Sequence, residues 1–272
     1  MMKDNDQHKF VITLLGQFGN NLFQIALAEK LESEGAIVKF DFSFVRNRTS
    51  TLDQVPYLHE YVRSRGLNYT RYLPAIGGKL DLVAILTRRV LHPKNIVFDR
   101  TSFGPDLGTL NKSAWLTGYW QQLAIAQALV PTLRESLNSG SPEKIIRVHV
   151  RRGDMVNNAS ALPISYFSNA LQTVKQDSKF ADLPVEVVSD DPKFCEEFLN
   201  FGIPFTVKHG TSALADFSSL MNAEVLICSR STFSWWAGAL SRGHIFYPTP
   251  WDPSDRKNEA SVIPSDWIAM QA

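Results

Sequence analysis

Two adjacent guanidiniums, a carboxylate and an imidazole stand within the six residues His149-Val-Arg-Arg-Gly-Asp154. Arg151 and Arg152 side by side suit a multiply charged anion, above all a phosphate or diphosphate. The planar guanidinium fork makes bidentate, charge-assisted bonds to phosphate oxygens, each contributing about 1.5–3 kcal/mol. A surface Arg–Asp network is the structural alternative. The segment 145–150 that leads into the cluster is short, apolar and rich in β-branched residues, which reads as a buried strand. The charges therefore arrive where that strand leaves its sheet, and in open α/β sheets ligands bind at that edge.

Three more loops carry chemistry. Ser189-Asp-Asp-Pro192 ends a strand over 185–188. Asp191 is placed to N-cap the next helix with Pro192 at its first position. Asp190 has no such duty, and a carboxylate there can accept from a guanine edge or a ribose. No third ligand accompanies the pair, so metal binding is not expected. Ser229-Arg-Ser-Thr-Phe-Ser-Trp-Trp236 follows a strand over 225–228 and opens a helix. Ser231 and Thr232 offer hydroxyls and helix N-terminal N–H groups to a phosphate, or else simply cap the helix. Phe233 suits ligand or core, whereas Trp235 and Trp236 suit core. Gly16-Gln-Phe-Gly-Asn-Asn21 lies between a strand over 10–15 and a helix ending near Gly35. Gly16 and Gly19 permit close backbone approach to an anion. A dinucleotide fingerprint would need a third glycine, and a plain β–α turn is the other reading.

The elements that must position these loops alternate along the second half. Strand 145–150 precedes a helix over 164–175 with Tyr166, Phe167, Ala170, Leu171 and Val174 on one face. Strand 185–188, helix 192–200, strand 203–207, helix 214–222, strand 225–228, helix 232–241 and strand 245–247 follow. This spacing implies right-handed βαβ units and a parallel sheet, so the loops after 150, 188 and 228 emerge on one edge. The first half opens the same way, with a strand over 36–40, and 121–137 reads as a helix kinked at Pro131. The breaker run 138–142 divides an N-terminal α/β domain, 1–140, from a C-terminal Rossmann-like domain, 141–272.

Composition narrows the class. Of 272 residues 44% are hydrophobic and 20% charged, and the net charge is +1, so no global field recruits nucleic acid. Two cysteines inside apolar runs read as buried hydrophobes of a reducing compartment. The polar N-terminus has no signal-peptide core, and no run of 18 apolar residues occurs. A cytoplasmic protein is expected, with 75–90 the segment suited to a peripheral contact at the inner face of the membrane.

At this point the motifs match a family. His149-Val-Arg-Arg-Gly-Asp154 resembles the HxRRxD motif of the α1,2-, α1,6- and protein O-fucosyltransferases. Gly16-Gln-Phe-Gly-Asn-Asn-Leu-Phe-Gln24 resembles the GGLGNQMFQ opening of the α1,2-fucosyltransferases, with Gln17 in place of a glycine and Asn21 in place of a glutamine. Gly118-Tyr-Trp-Gln121, Ser189-Asp-Asp191 and Ser231-Thr-Phe-Ser-Trp-Trp236 resemble further blocks in the same order, while 41–116 matches little. The chain thus resembles the bacterial α1,2-fucosyltransferases of glycosyltransferase family 11, which serve surface polysaccharides such as O-antigen.

The resemblance implies a GT-B-type fold, with two Rossmann-like domains facing a cleft. It also implies inverting, metal-independent transfer of L-fucose from GDP-β-L-fucose to a terminal galactose of a glycan acceptor. By motif, Arg151 grips the β-phosphate and Arg152 supports the site. His149 and Asp190 contact guanine, while Ser231, Thr232 and Phe233 line the diphosphate. Asn20 faces the reacting centre, and Gly16 and Gly19 shape its loop. Asp154 is a candidate proton acceptor or an orienting partner of the arginines, and Tyr119, Trp120 and Trp251 suit sugar stacking or core. Another linkage, another GDP-sugar and a non-catalytic nucleotide-sugar-binding protein stay open. An NAD(P) oxidoreductase is disfavoured by the double Arg and the incomplete glycine loop.

Overall fold

The computed structural model describes residues 7–42, 44–45, 50–67, 96–98, 107–110, 112–137, 139–157, 161–210, 212–253 and 256–272. The chain divides into two compact units, Met1–Pro131 and Thr132–Ala272. Each is α/β and built on a parallel sheet.

In the first unit β1 (Lys9–Thr13), β2 (Ile37–Asp41), β3 (Ile96–Phe98) and β4 (Ala114–Thr117) lie in the order β2-β1-β4-β3. Helix α1 (Phe18–Ser33) crosses from β1 to β2. It begins earlier than the sequence pattern indicates, because the Asn21 N–H already donates to Gln17 O at 3.0 Å. Gly19, Asn20 and Asn21 therefore sit in the first turn of a helix, not in a loop. Short helices α2 (Ser50–Asp53) and α3 (Pro56–Ser64) follow, and α3 buries Leu58, Tyr61 and Val62. Arg65 is held by Glu32 at 2.7 Å over the Tyr61 ring, and Arg63 pairs with Asp53 at 3.0 Å. Helix α4 (Leu123–Ser136) contains Pro131, so the units divide inside this helix, ahead of the breaker run 138–142.

The second unit contains β5 (Glu143–Val150), α5 (Gly153–Asn157), α6 (Ile164–Gln176), β6 (Val185–Ser189), α7 (Pro192–Phe198) and β7 (Thr206–Lys208). It continues with α8 (Ala213–Met221), β8 (Ala223–Ile227), α9 (Thr232–Leu240), β9 (His244–Thr249) and β10 (Ile268–Gln271). The order is β10-β9-β8-β5-β6-β7, every pair parallel. Counted from β5 this is the doubly wound order 3-2-1-4-5-6, whose direction reverses between β5 and β8. β7 starts later than the sequence pattern because Pro204 has no N–H for a ladder. β10 was not foreseen; four residues of mostly exposed, unpatterned sequence give no period to read.

Strand β5 is buried on both faces. Ile146, Val148 and Val150 pack with Tyr166, Phe167, Ala170, Leu171 and Val174 of α6, the face the sequence assigned to that helix. Arg147 and His149 point the other way and are buried too. Arg147 is neutralised in place: it donates to Glu186 on β6 at 2.7 Å, Glu143 at 2.6 Å and Ser219 O at 2.7 Å. Arg134 donates to the Ala239, Leu240 and Ser241 carbonyls, closing the C-terminus of α9 with positive charge. Among the described residues no helix is long and apolar enough to cross a membrane, and 75–90 lies outside them.

Arg147 is the buried member of this cluster, while Glu143 and Glu186 are 55% and 20% exposed, so the costly change is to take a carboxylate from the guanidinium. Glu186→Ala should cost about 2 kcal/mol in urea unfolding. A loss below about 1 kcal/mol would class the cluster with exposed pairs.

Candidate functional site

Parallel pairing brings the ends of β5, β6 and β8 to one edge, and side chains stitch their loops together. The Ser189 hydroxyl at the end of β6 donates to Val150 O at 2.7 Å. The Arg151 N–H donates to the Ser229 hydroxyl after β8 at 3.0 Å, directly across the point where strand order reverses. Tyr166 of α6 donates to Cys228 O at 2.8 Å from beneath. Three of the loops read from the sequence thus form one rigid edge. Sequence gives Ser189 and Ser229 no fixing role, small hydroxyls at strand ends being their only signal, and it reads Tyr166 only as part of the apolar face of its helix.

The charged groups are engaged with one another. Arg151 Nη1 donates to Asp190 Oδ2 at 2.6 Å, and the Arg152 N–H donates to Asp190 Oδ1 at 2.8 Å. The Arg152 side chain turns aside: its Nε is 3.4 Å from Asp191 Oδ2 and its guanidinium lies 3.2 Å over the Phe194 ring. Asp191 also caps α7, accepting from the Phe194 N–H at 3.2 Å, as the sequence indicates. The Arg152 guanidinium is therefore directed to Asp191 and Phe194, and Arg151 is the guanidinium at the switch point. A Cβ at Gly153 would come 2.5 Å from Asp190 Oδ2, so a side chain there would displace that carboxylate. The side chain of Asp154 lies outside the described residues. Arg230, beside the same edge, donates to Pro250 O at 3.0 Å, and burial lowers its pKa.

His149 and the β8 loop line the inner part of the edge. The His149 ring is buried, packs 5.7 Å from the Phe233 ring, and its Nδ1 has no hydrogen-bond partner among the described residues. Burial, and then the Arg151 charge, push its pKa down to about 3, so the imidazole is neutral. Phe233 also packs against Phe217. Ser231 caps α9 through the Phe233 N–H at 3.2 Å, and Thr232 is the first residue of that helix.

In the first unit the loops after β1 and β4 are tied by one buried amide. Gln24 accepts from the Leu15 N–H at 3.0 Å and from Asn21 Nδ2 at 3.1 Å, and donates to Gly118 O at 2.8 Å. Asn20 accepts from Gln121 at 3.2 Å. Gly16 has φ +76°, and a Cβ there would lie 2.5 Å from Asn20 Nδ2, which explains a glycine at that position. Trp120 and Trp251 are buried, whereas Tyr119 is exposed. Buried Thr13 and Asp41 and half-buried Thr117, all at strand ends, form a further polar cluster: the Thr13 hydroxyl is 3.3 Å from both partners. No group of three or more potential metal ligands occurs among the described residues.

A family model for glycosyl transferase family 11 matches residues 111–271, more than half of the chain, including the whole β5–β6–β8 edge. The chain belongs to glycosyl transferase family 11. It is 26% identical to the α-1,2-colitosyltransferase of Escherichia coli over 296 aligned residues, covering 96% of this chain and 98% of that protein. It is 27% identical to galactoside α-(1,2)-fucosyltransferase 2 of Rattus norvegicus, covering 54% of this chain and 45% of that protein. Among solved structures, the E. coli heptosyltransferase WaaC with ADP aligns with 97% of this chain and 93% of its own, at a TM-score of 0.47 and 14% identity.

The neutral His149 has a pH consequence with a definite sign. Its folded pKa of about 3 lies below the unfolded value of about 6.5, so the unfolded state binds a proton that the folded state does not. The stability it leaves intact above about pH 6.5 is lost as pH falls toward 3. His149→Phe, which keeps a ring against Phe233, should flatten the unfolding free energy between about pH 6 and pH 4, removing up to about 1.4 kcal/mol per pH unit. An unchanged slope in acid titration of the variant would place the imidazole in water.

Proposed function

We propose that this protein is an inverting glycosyltransferase that moves L-fucose from GDP-β-L-fucose to the 2-hydroxyl of a terminal galactoside in a surface glycan. The observation that carries the reading is Arg151, held at the β5–β8 switch point in a member of glycosyl transferase family 11. At that point a dinucleotide-binding fold presents a glycine loop and a long helix N-terminus. Here the following helix, α5, has five residues, and a fixed guanidinium stands in its place.

Cleavage of the sugar–phosphate bond builds negative charge on the departing diphosphate while the sugar becomes oxocarbenium-like. Arg151 meets that charge as a preorganised cation, and removing one such group costs about 10²–10³ in rate. With the compensating charge on the protein, the reaction as proposed needs no bound metal. Asn20, bonded to Gln121, lies at the carboxyl edge of the first unit's sheet and is assigned to position the sugar or the acceptor hydroxyl. Asp154, two residues beyond Arg152, is assigned either the proton-acceptor role or that of a partner to the arginines.

A second donor is favoured by one observation: the alignment with the E. coli α-1,2-colitosyltransferase runs over 96% of this chain. Colitose is fucose without its 3-hydroxyl. A site that hydrogen-bonds that hydroxyl rejects the deoxy sugar by about 10⁴-fold or more, and an apolar wall there discriminates weakly.

The test is GDP release from GDP-fucose and from GDP-colitose, with EDTA present, over a panel of β-galactosides, followed by NMR of the product linkage. Acceptor-dependent release giving an α1,2 linkage is expected, and dependence on added metal would contradict the proposal. Arg151→Lys should lose nearly as much turnover as Arg151→Ala, on the order of 10²-fold, because a point charge cannot reproduce the bidentate fork. Near-wild-type turnover by the Lys variant would refute that assignment.

A further inference from the structure

Asp190 follows β6 at the nucleotide edge, where a carboxylate could read a guanine base. The structure gives both of its oxygens other work. Oδ2 accepts from the Arg151 guanidinium at 2.6 Å and Oδ1 from the Arg152 N–H at 2.8 Å, so the whole carboxylate faces the β5 loop. Its neighbour Asp191 caps α7 and bonds Arg152, so the two acids are not interchangeable. Gly153 packs under the pair: a Cβ there would sit 2.5 Å from Asp190 Oδ2 and 3.4 Å from Arg151 Cζ. The Arg151 backbone is fixed separately by the Ser229 hydroxyl at 3.0 Å. Backbone and guanidinium are thus each held, by different loops.

The pair is partly open to solvent, with side-chain exposures of 20% for Arg151 and 26% for Asp190. Ion pairs so placed contribute little to folding, so the consequence of this one is orientation. A guanidinium carries five N–H donors in one plane, and holding a single edge fixes where the other donors point.

We propose that Asp190 is a positioning residue that aims the Arg151 guanidinium at the diphosphate of the nucleotide donor, and that it does not read the base. The inference rests on the GDP-sugar reading above and adds a division of labour to it. Base recognition falls to other groups at the edge, and the β-phosphate is gripped by an Arg–Asp unit.

Three ligands separate the roles in calorimetric titration. The GDP-to-GMP affinity ratio reports the grip on the β-phosphate, and the GDP-to-IDP ratio reports contact with the guanine exocyclic amine. In Asp190→Ala the first ratio should fall about tenfold while the second stays within about twofold of wild type. Turnover should fall about 10²-fold, as for a misaimed catalytic group, with the donor KM moving less than kcat. Asp190→Asn keeps an acceptor oxygen and should show smaller falls in the same direction, with at least about a tenth of wild-type turnover, on the same reasoning. If the Ala variant does not fold, the Asn variant is read on the same two ratios. A GDP-to-GMP ratio that holds or rises, or a GDP-to-IDP ratio that collapses, overturns the proposal. Failure of the wild-type protein to bind GDP is a different result: it overturns the donor reading itself.

Discussion

Strand order reverses between β5 and β8, and both strands run the same way. Their connections therefore leave in opposite directions, and a crevice opens at their carboxyl ends that no crossover covers. Everything assigned to the second unit depends on this. The reversal sets Arg151 beside Ser229, β6 on the other flank supplies Asp190, and α6 supports the floor through Tyr166. A parallel sheet also forces its central strand to be buried on both faces. β5 meets this with an aliphatic face toward α6 and a polar face in which Arg147 is neutralised and His149 is kept uncharged.

Charge is handled by pairing, not by accumulation. The net charge of +1 gives no field to draw in an anionic donor, so attraction must be local. The edge has positive groups at Arg151, Arg152 and Arg230, and each is restrained by a hydrogen bond to a neighbouring loop. Restraint of this kind is what makes electrostatic stabilisation effective, since the dipoles and charges need not reorganise as the reaction proceeds. The neutral imidazole of His149 adds no further positive charge beside Arg151 and leaves a buried ring nitrogen without a partner among the described residues.

The second unit was largely legible in the sequence because its signals are periodic. Tyr166, Phe167, Ala170, Leu171 and Val174 repeat at helical spacing and are the residues buried on α6. The Asp191–Pro192 cap marks the start of α7 to the residue. β10 was missed because four residues carry no period and it is defined by pairing to β9 alone, while the start of β7 is displaced by Pro204, which the apolar pattern does not register. Within the site, residue types marked a charged edge but not which acid serves which arginine. The pairing of Asp190 with Arg151 depends on the width of the gap between β5 and β6 and on the missing side chain at Gly153. In the first unit, the buried amide of Gln24 joins residues nearly a hundred positions apart, which no local pattern encodes.

The central claim is that Arg151 meets a nucleotide diphosphate at the β5–β8 switch point. It is tested most directly by an experimental structure of the protein with GDP bound. The expected result is a β-phosphate oxygen within hydrogen-bonding distance of the Arg151 guanidinium, with the Arg151–Asp190 contact intact. A nucleotide bound away from this edge, or a diphosphate that leaves Arg151 untouched, would contradict it.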